Sequence, residues 1–289
     1  MASSRPRRYA GLQASKETDP MRNRLRHSLI APMALIAGGF LAPAFSQAPN
    51  AQFPRTATGE PRLDGIWQAL TEANSDIRPH AAGPAPLPEL GTFSAIRPGL
   101  GIVEGNDIPY QPWAAEKQKE NFANRLELDP EGKCFLPGVP RATYLPYPFQ
   151  ILQTPQFVMI AYQFANAVRT IHMEDPGPSP GDSWMGWSVG RWEGDTLVVD
   201  VSAFNGQSWF DRAGNFHSDA LHVVERYTPM GPNHLLYEAT IEDPNVFTRP
   251  WNISLPLYRR VEENVELMEF KCVEFVEEKL YRHLRKQPE

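Results

Sequence analysis

From residue 149 onward, apolar and polar residues alternate with a period of two, the repeat of a half-buried β-strand. Runs at 156–163 and 167–173 flank Phe164-Ala165-Asn166 and predict a hairpin. Runs at 184–192 and 196–204 flank Glu193-Gly194-Asp195, which predicts a three-residue turn with glycine in the left-handed region. Further strands are expected at 220–227, 234–242, 255–262 and 265–275, with shorter ones at 149–152 and 63–68. That makes nine to ten antiparallel strands. Before residue 149 the only helical signal is at 111–126, with Pro112 suited to a first turn. The fold class is therefore mainly β: an antiparallel up-and-down β-barrel carrying a long proline-rich N-terminal strap and one short helix.

Composition refines this picture. Of 29 prolines in 289 residues, 15 fall in 49–148. Each fixes φ and removes a backbone donor, so this stretch is read as a strap packed on the barrel, able to lid one mouth. The domain reading has residues 1–46 as an N-terminal extension plus signal peptide. The strap (47–148) and the barrel (149–289) then form one domain.

The export signal lies at 21–46. Arg22, Arg24 and Arg26 precede an apolar run at 29–41, and Ala44 and Ser46 occupy the −3 and −1 positions of a small-residue cleavage site. Met21 is thus an alternative start to Met1. The run is too short to span a bilayer, so the expectation is a periplasmic or secreted protein without stable membrane association. Loss of 1–46 removes seven Lys/Arg and two acids, moving the formal net charge from −6 to −11. That charge disfavours nucleic acid and anionic membranes as partners. Cys134 and Cys272 are the two cysteines, and an oxidising compartment favours their pairing as a disulfide.

Candidate chemistry clusters between Asp211 and Arg226. His217 with Asp219 suits a general base or a loop cap, and His172 at a strand end could reach a cavity mouth. The catalytic candidates are His217, His172 and Asp219. Arg141 and Arg226 are candidate anion clamps, and Trp184, Trp209 and Tyr147 candidate walls for a flat or hydrophobic substrate. A metal set built from His172, His217, His222 and Asp219 is not demanded by their spacing, so no metal is expected. No nucleotide-binding glycine loop, GxSxG or HExxH occurs, and no cofactor is called for.

The run WMGWSVGRWEGDTLVVDVSAF from Trp184 to Phe204 resembles the GRWEGDTLVVD-type motif of a family of secreted bacterial proteins of unassigned function. The resemblance extends through Asp64-Gly65-Ile66-Trp67, Arg169-Thr170-Ile171-His172, Phe216-His217-Ser218 and Glu242-Asp243-Pro244. It implies secretion and the fold class. The family often carries His after the glycine matching Gly186, where this chain has Trp187, so no catalytic role is carried to that position. Gly65-Ile66-Trp67 also resembles the G-x-W of lipocalins, which implies a lipocalin-like (calycin) barrel.

Together these readings predict a periplasmic enzyme, of lyase, decarboxylase, hydratase or isomerase type. It would use acid/base groups on a small hydrophobic compound, aromatic or alicyclic. The alternative is a non-catalytic periplasmic binder of hydrophobic small molecules on the same barrel. The enzyme reading expects at least two of His172, His217, Asp219 and Arg226 to meet in one pocket.

Overall fold

A computed structural model describes residues 53–85, 91–92 and 95–271. The chain divides into two units, 1–46 and 47–289. The signal segment and Cys272 lie outside the described residues.

Nine strands close a barrel in sequence order: β1 (Gly65–Ala69), β2 (Phe149–Gln153), β3 (Phe157–Tyr162), β4 (Val168–His172), β5 (Trp187–Glu193), β6 (Thr196–Ser202), β7 (His222–Gly231), β8 (His234–Glu242) and β9 (Trp251–Arg259). The mainly β barrel is thus as the alternation predicts. It differs in one respect, because β4 and β5 run parallel. Parity requires this. In a closed ring of nine strands, alternation of direction must fail at least once. With β1 antiparallel to β9, it fails at the 173–186 crossover.

Alternation places one face of each strand in the lumen. Phe149 and Ile151, Val158 and Ile160, Val199 and Val201, and Ile253 and Leu255 all point inward and are buried. Gly190 in β5 answers to crowding, since a Cβ there would lie 2.7 Å from Ile171 Cγ2 and 2.8 Å from the Met173 sulfur.

Local expectations shift where backbone chemistry intervenes. The β5–β6 turn has two residues, not three, because Glu193 pairs with Thr196 and leaves only Gly194 (φ 61°) and Asp195 between. The helix ends early. α1 (Pro112–Ala123) stops at Asn124, whose side-chain amide donates to Glu120 O, and a separate turn, α2 (Arg125–Leu128), follows. Residues 265–271, the described part of the expected last strand, are irregular. The closed barrel leaves no edge to extend, so this segment crosses the β3–β4 turn instead. There Met268 N donates to Gln163 Oε1, and Phe270 packs on Tyr147 and Phe164.

Residues before β1 reach one end of the barrel, where Arg55 pairs with Asp195 of the β5–β6 turn, and the strap after β1 gathers at the other. Ser254 N donates to Ile102 O, and Gln111 N to Val246 O. Ile77 N is held by the Asp211 carboxylate. α1 lies on the β6–β7 connection, where Gln118 and Asn121 donate to Ala213 O and Gly214 O. α3 (Arg141–Tyr144), wholly buried, enters this end just before β2.

Candidate functional site in the barrel lumen

Beneath α3 the lumen wall turns polar. Arg169 (β4) and Glu225 (β7) project inward from strands whose other inward residues are apolar, and they form an ion pair with 3% and 0% of each residue exposed. Arg169 Nε also donates to Ser188 Oγ across the parallel seam at 2.8 Å. The Tyr227 and Tyr237 hydroxyls both donate to Glu225 Oε1, at 3.1 and 2.8 Å. Burial opposes the charge on Arg169, but Glu225 outweighs it and holds the guanidinium protonated. Burial, reinforced by Glu225, pushes Tyr227 and Tyr237 well above the usual phenol range. Both therefore keep their hydroxyl hydrogens at neutral pH and act as hydrogen-bond donors.

Three side-chain atoms in this cluster have no hydrogen-bond partner among the described residues: Arg169 Nη1, Tyr162 Oη and Thr143 Oγ1. All three residues are buried. They are also neighbours: burial raises the Tyr162 pKa, while Arg169 and Thr143 lie close enough to lower it through weak side-chain hydrogen bonding that falls short of good geometry. A desolvated polar atom without a well-formed hydrogen bond costs about 1–3 kcal/mol, so this cluster is the candidate site of the lumen.

The residues expected from sequence lie elsewhere. His217 is buried beside Phe204 and Phe210. Its Nδ1 is 2.8 Å from Ser218 O and its Nε2 2.8 Å from Ser208 Oγ. A carbonyl can only accept, so Nδ1 carries the hydrogen and Nε2 accepts from the serine hydroxyl. Burial lowers the His217 pKa, leaving the imidazole neutral. Gly138 makes room for this contact, since a Cβ there would lie 2.2 Å from Ser208 Oγ. Asp219 is exposed and does not pair with His217; Asp243 instead accepts from Ser218 N and Oγ. His172 is on the outer face against Trp187, with ring centroids 4.7 Å apart. Arg226 pairs with Glu193, and His222 sits between Asp200 and Glu242, both outside the barrel. The expected meeting of His172, His217, Asp219 and Arg226 does not occur, because strand parity sends His172 and Arg226 outward. No group of three potential metal ligands forms among the described residues.

Arg141 is buried, and its donors are engaged by Asp129, Glu131 and Asn74, so it has no free fork for an anion. Trp184 stacks on Phe135, Trp209 bridges to Phe216, and Tyr147 packs on Phe164 and Phe270. None of these three is in the lumen cluster.

No family model, curated protein or solved structure matches this chain. The site is defined by its own geometry.

A second polar group joins the strap to the barrel end. Asp211 is fully buried and accepts from Ile77 N, Asn215 N and Asn215 Nδ2. Burial, aided by nearby Asp76, raises its pKa to about 7. The folded pKa lies above the unfolded value, so the proton stabilises the native state most fully below pH ~4. Its contribution is lost as pH rises through about 7. Asp211→Asn is expected to flatten the dependence of the urea midpoint on pH between ~4 and ~7. An unchanged slope would assign that dependence to other groups.

Proposed function

We propose that this chain is a periplasmic enzyme that performs acid/base chemistry on a small hydrophobic molecule held inside the barrel. One observation carries the reading: Arg169 Nη1, Tyr162 Oη and Thr143 Oγ1 stand unpartnered and buried next to an ion-paired carboxylate. Arg169, Tyr162 and Thr143 orient the substrate's polar group, and Glu225 exchanges the proton. The apolar wall formed by residues such as Ile160, Val199 and Leu255 favours a flat or alicyclic body. Export and a Cys134–Cys272 disulfide belong to the same reading and rest on the sequence. So does membership of the GRWEGDTLVVD-type family.

Metabolite profiling of a strain lacking the protein tests this function. One compound is expected to accumulate, and wild type should clear it while a folded Glu225→Gln variant does not. A profile unchanged by the deletion, with a small molecule co-purifying in the barrel, would establish the non-catalytic binder instead.

A further inference from the structure

We infer that the lumen takes a neutral carbonyl compound, a hydrophobic ketone or aldehyde, and that the reaction is enolisation next to the carbonyl. This rests on the lumen acid/base reading and names its substrate class.

The donor inventory comes first. Arg169 Nη1 can only donate, and the Tyr162 and Thr143 hydroxyls can each donate a hydrogen. A ligand group meeting all three must be an acceptor with more than one lone pair, which an oxygen provides. Charge then selects among oxygens. Arg169 is already neutralised by Glu225 in a sealed lumen. A carboxylate ligand would leave an uncompensated negative charge there, which a buried site opposes strongly. A ligand hydroxyl would spend its hydrogen on Tyr162 or Thr143 as acceptor, so fewer than three donors would converge on its oxygen. A carbonyl oxygen meets both conditions.

The same donors favour a particular reaction. When a proton leaves the carbon beside the carbonyl, the C–H electron pair becomes a C=C bond. The carbonyl π pair moves onto oxygen. Arg169 Nη1 and the two hydroxyls face that oxygen, so they bind the enolate more strongly than the ketone. A Glu225 oxygen takes the proton and returns it to the same carbon or, in a conjugated compound, to one two bonds further along. Atoms and electrons balance without an oxidant, a reductant or a second substrate.

The test uses the whole mature protein and three classes of probe. Cyclohex-2-enone and acetophenone are the neutral carbonyls, benzoate and cyclohexanecarboxylate the anions, and benzyl alcohol the hydroxyl compound. The carbonyls are expected to raise the thermal midpoint and to exchange their α-hydrogens for deuterium in D2O faster with protein than without. Tyr162→Phe and Thr143→Val remove hydroxyls that make no well-formed hydrogen bond among the described residues, and urea midpoints near wild type would show that both variants fold. Each should slow the exchange by about 10²-fold, the effect of losing one donor to a developing oxyanion. Glu225→Gln should bind ketone without exchanging it.

Binding of the carboxylates but not the ketones would overturn the carbonyl assignment and leave a lumen enzyme acting on acids. Ketone binding without exchange by wild type would overturn enolisation and the enzymatic reading together. No binding by any class would overturn the lumen as a site.

Discussion

Arg169→Met is expected to destabilise the protein by about 3–5 kcal/mol, because it strands the Glu225 carboxylate in the lumen. The two tyrosine hydroxyls would remain on Oε1, but nothing would balance the charge. The double variant Arg169→Met with Glu225→Leu should recover most of the loss, since a buried pair replaced by apolar groups of similar volume is often neutral. Urea denaturation of the three variants decides the matter. If the double variant is as unstable as the single, the pair is not the source of the loss. If the double variant is also inactive at wild-type stability, the ion pair belongs to function more than to folding.

The second large effect is at the strap. Arg141→Met should also cost about 3–5 kcal/mol at pH 7, because Asp129 and Glu131 would keep only Arg212 as a cationic partner. Its pH signature separates it from a simple loss of packing. Burial works to raise the Glu131 pKa, yet Arg212 and Arg141 together pull it down to about 2. In wild type the stabilisation from this depressed carboxylate is present above the unfolded pKa of ~4.3 and is lost as pH falls toward about 2. Without Arg141 the Glu131 carboxylate can take its proton at higher pH, so the deficit relative to wild type should shrink by pH 4. Denaturant midpoints measured at pH 4 and 7 would show it. An equal deficit at both would mean that the guanidinium acts through packing alone.

The strands were legible because alternation is strict wherever one face meets the core. β8 falls where the pattern predicts it, at 234–242. The parallel pair was not, because the retained strand direction across 173–186 is a property of ring closure and leaves no local mark in the sequence. The lumen cluster did leave a mark. Arg169 shares a face with Ile171, and Glu225 shares one with Val223. A single charge of each sign on an otherwise apolar face is what a buried pair looks like before folding. What the sequence could not supply is that β4 and β7 place these two faces across the same lumen. Histidine attracted attention for its titration range, yet His217 is read better as a neutral link between Ser208 and the Ser218 carbonyl. Arg141 suits an anion clamp in sequence but is a structural cation in the fold, because Asp129 and Glu131 come from the loop between α2 and α3, whose folding back onto the arginine no periodicity encodes.

The parallel seam also bears on what holds the ring closed. Only Ile171 with Ser188 and His172 with Val189 are registered between β4 and β5, the shortest ladder in the ring. Above that ladder the two strands are joined through side chains, with Arg169 Nε on Ser188 Oγ. Fewer backbone pairs hold the wall at this joint than at any other in the ring. The arginine at the centre of the lumen cluster is thus also a rivet, fastening the wall where its backbone ladder is shortest.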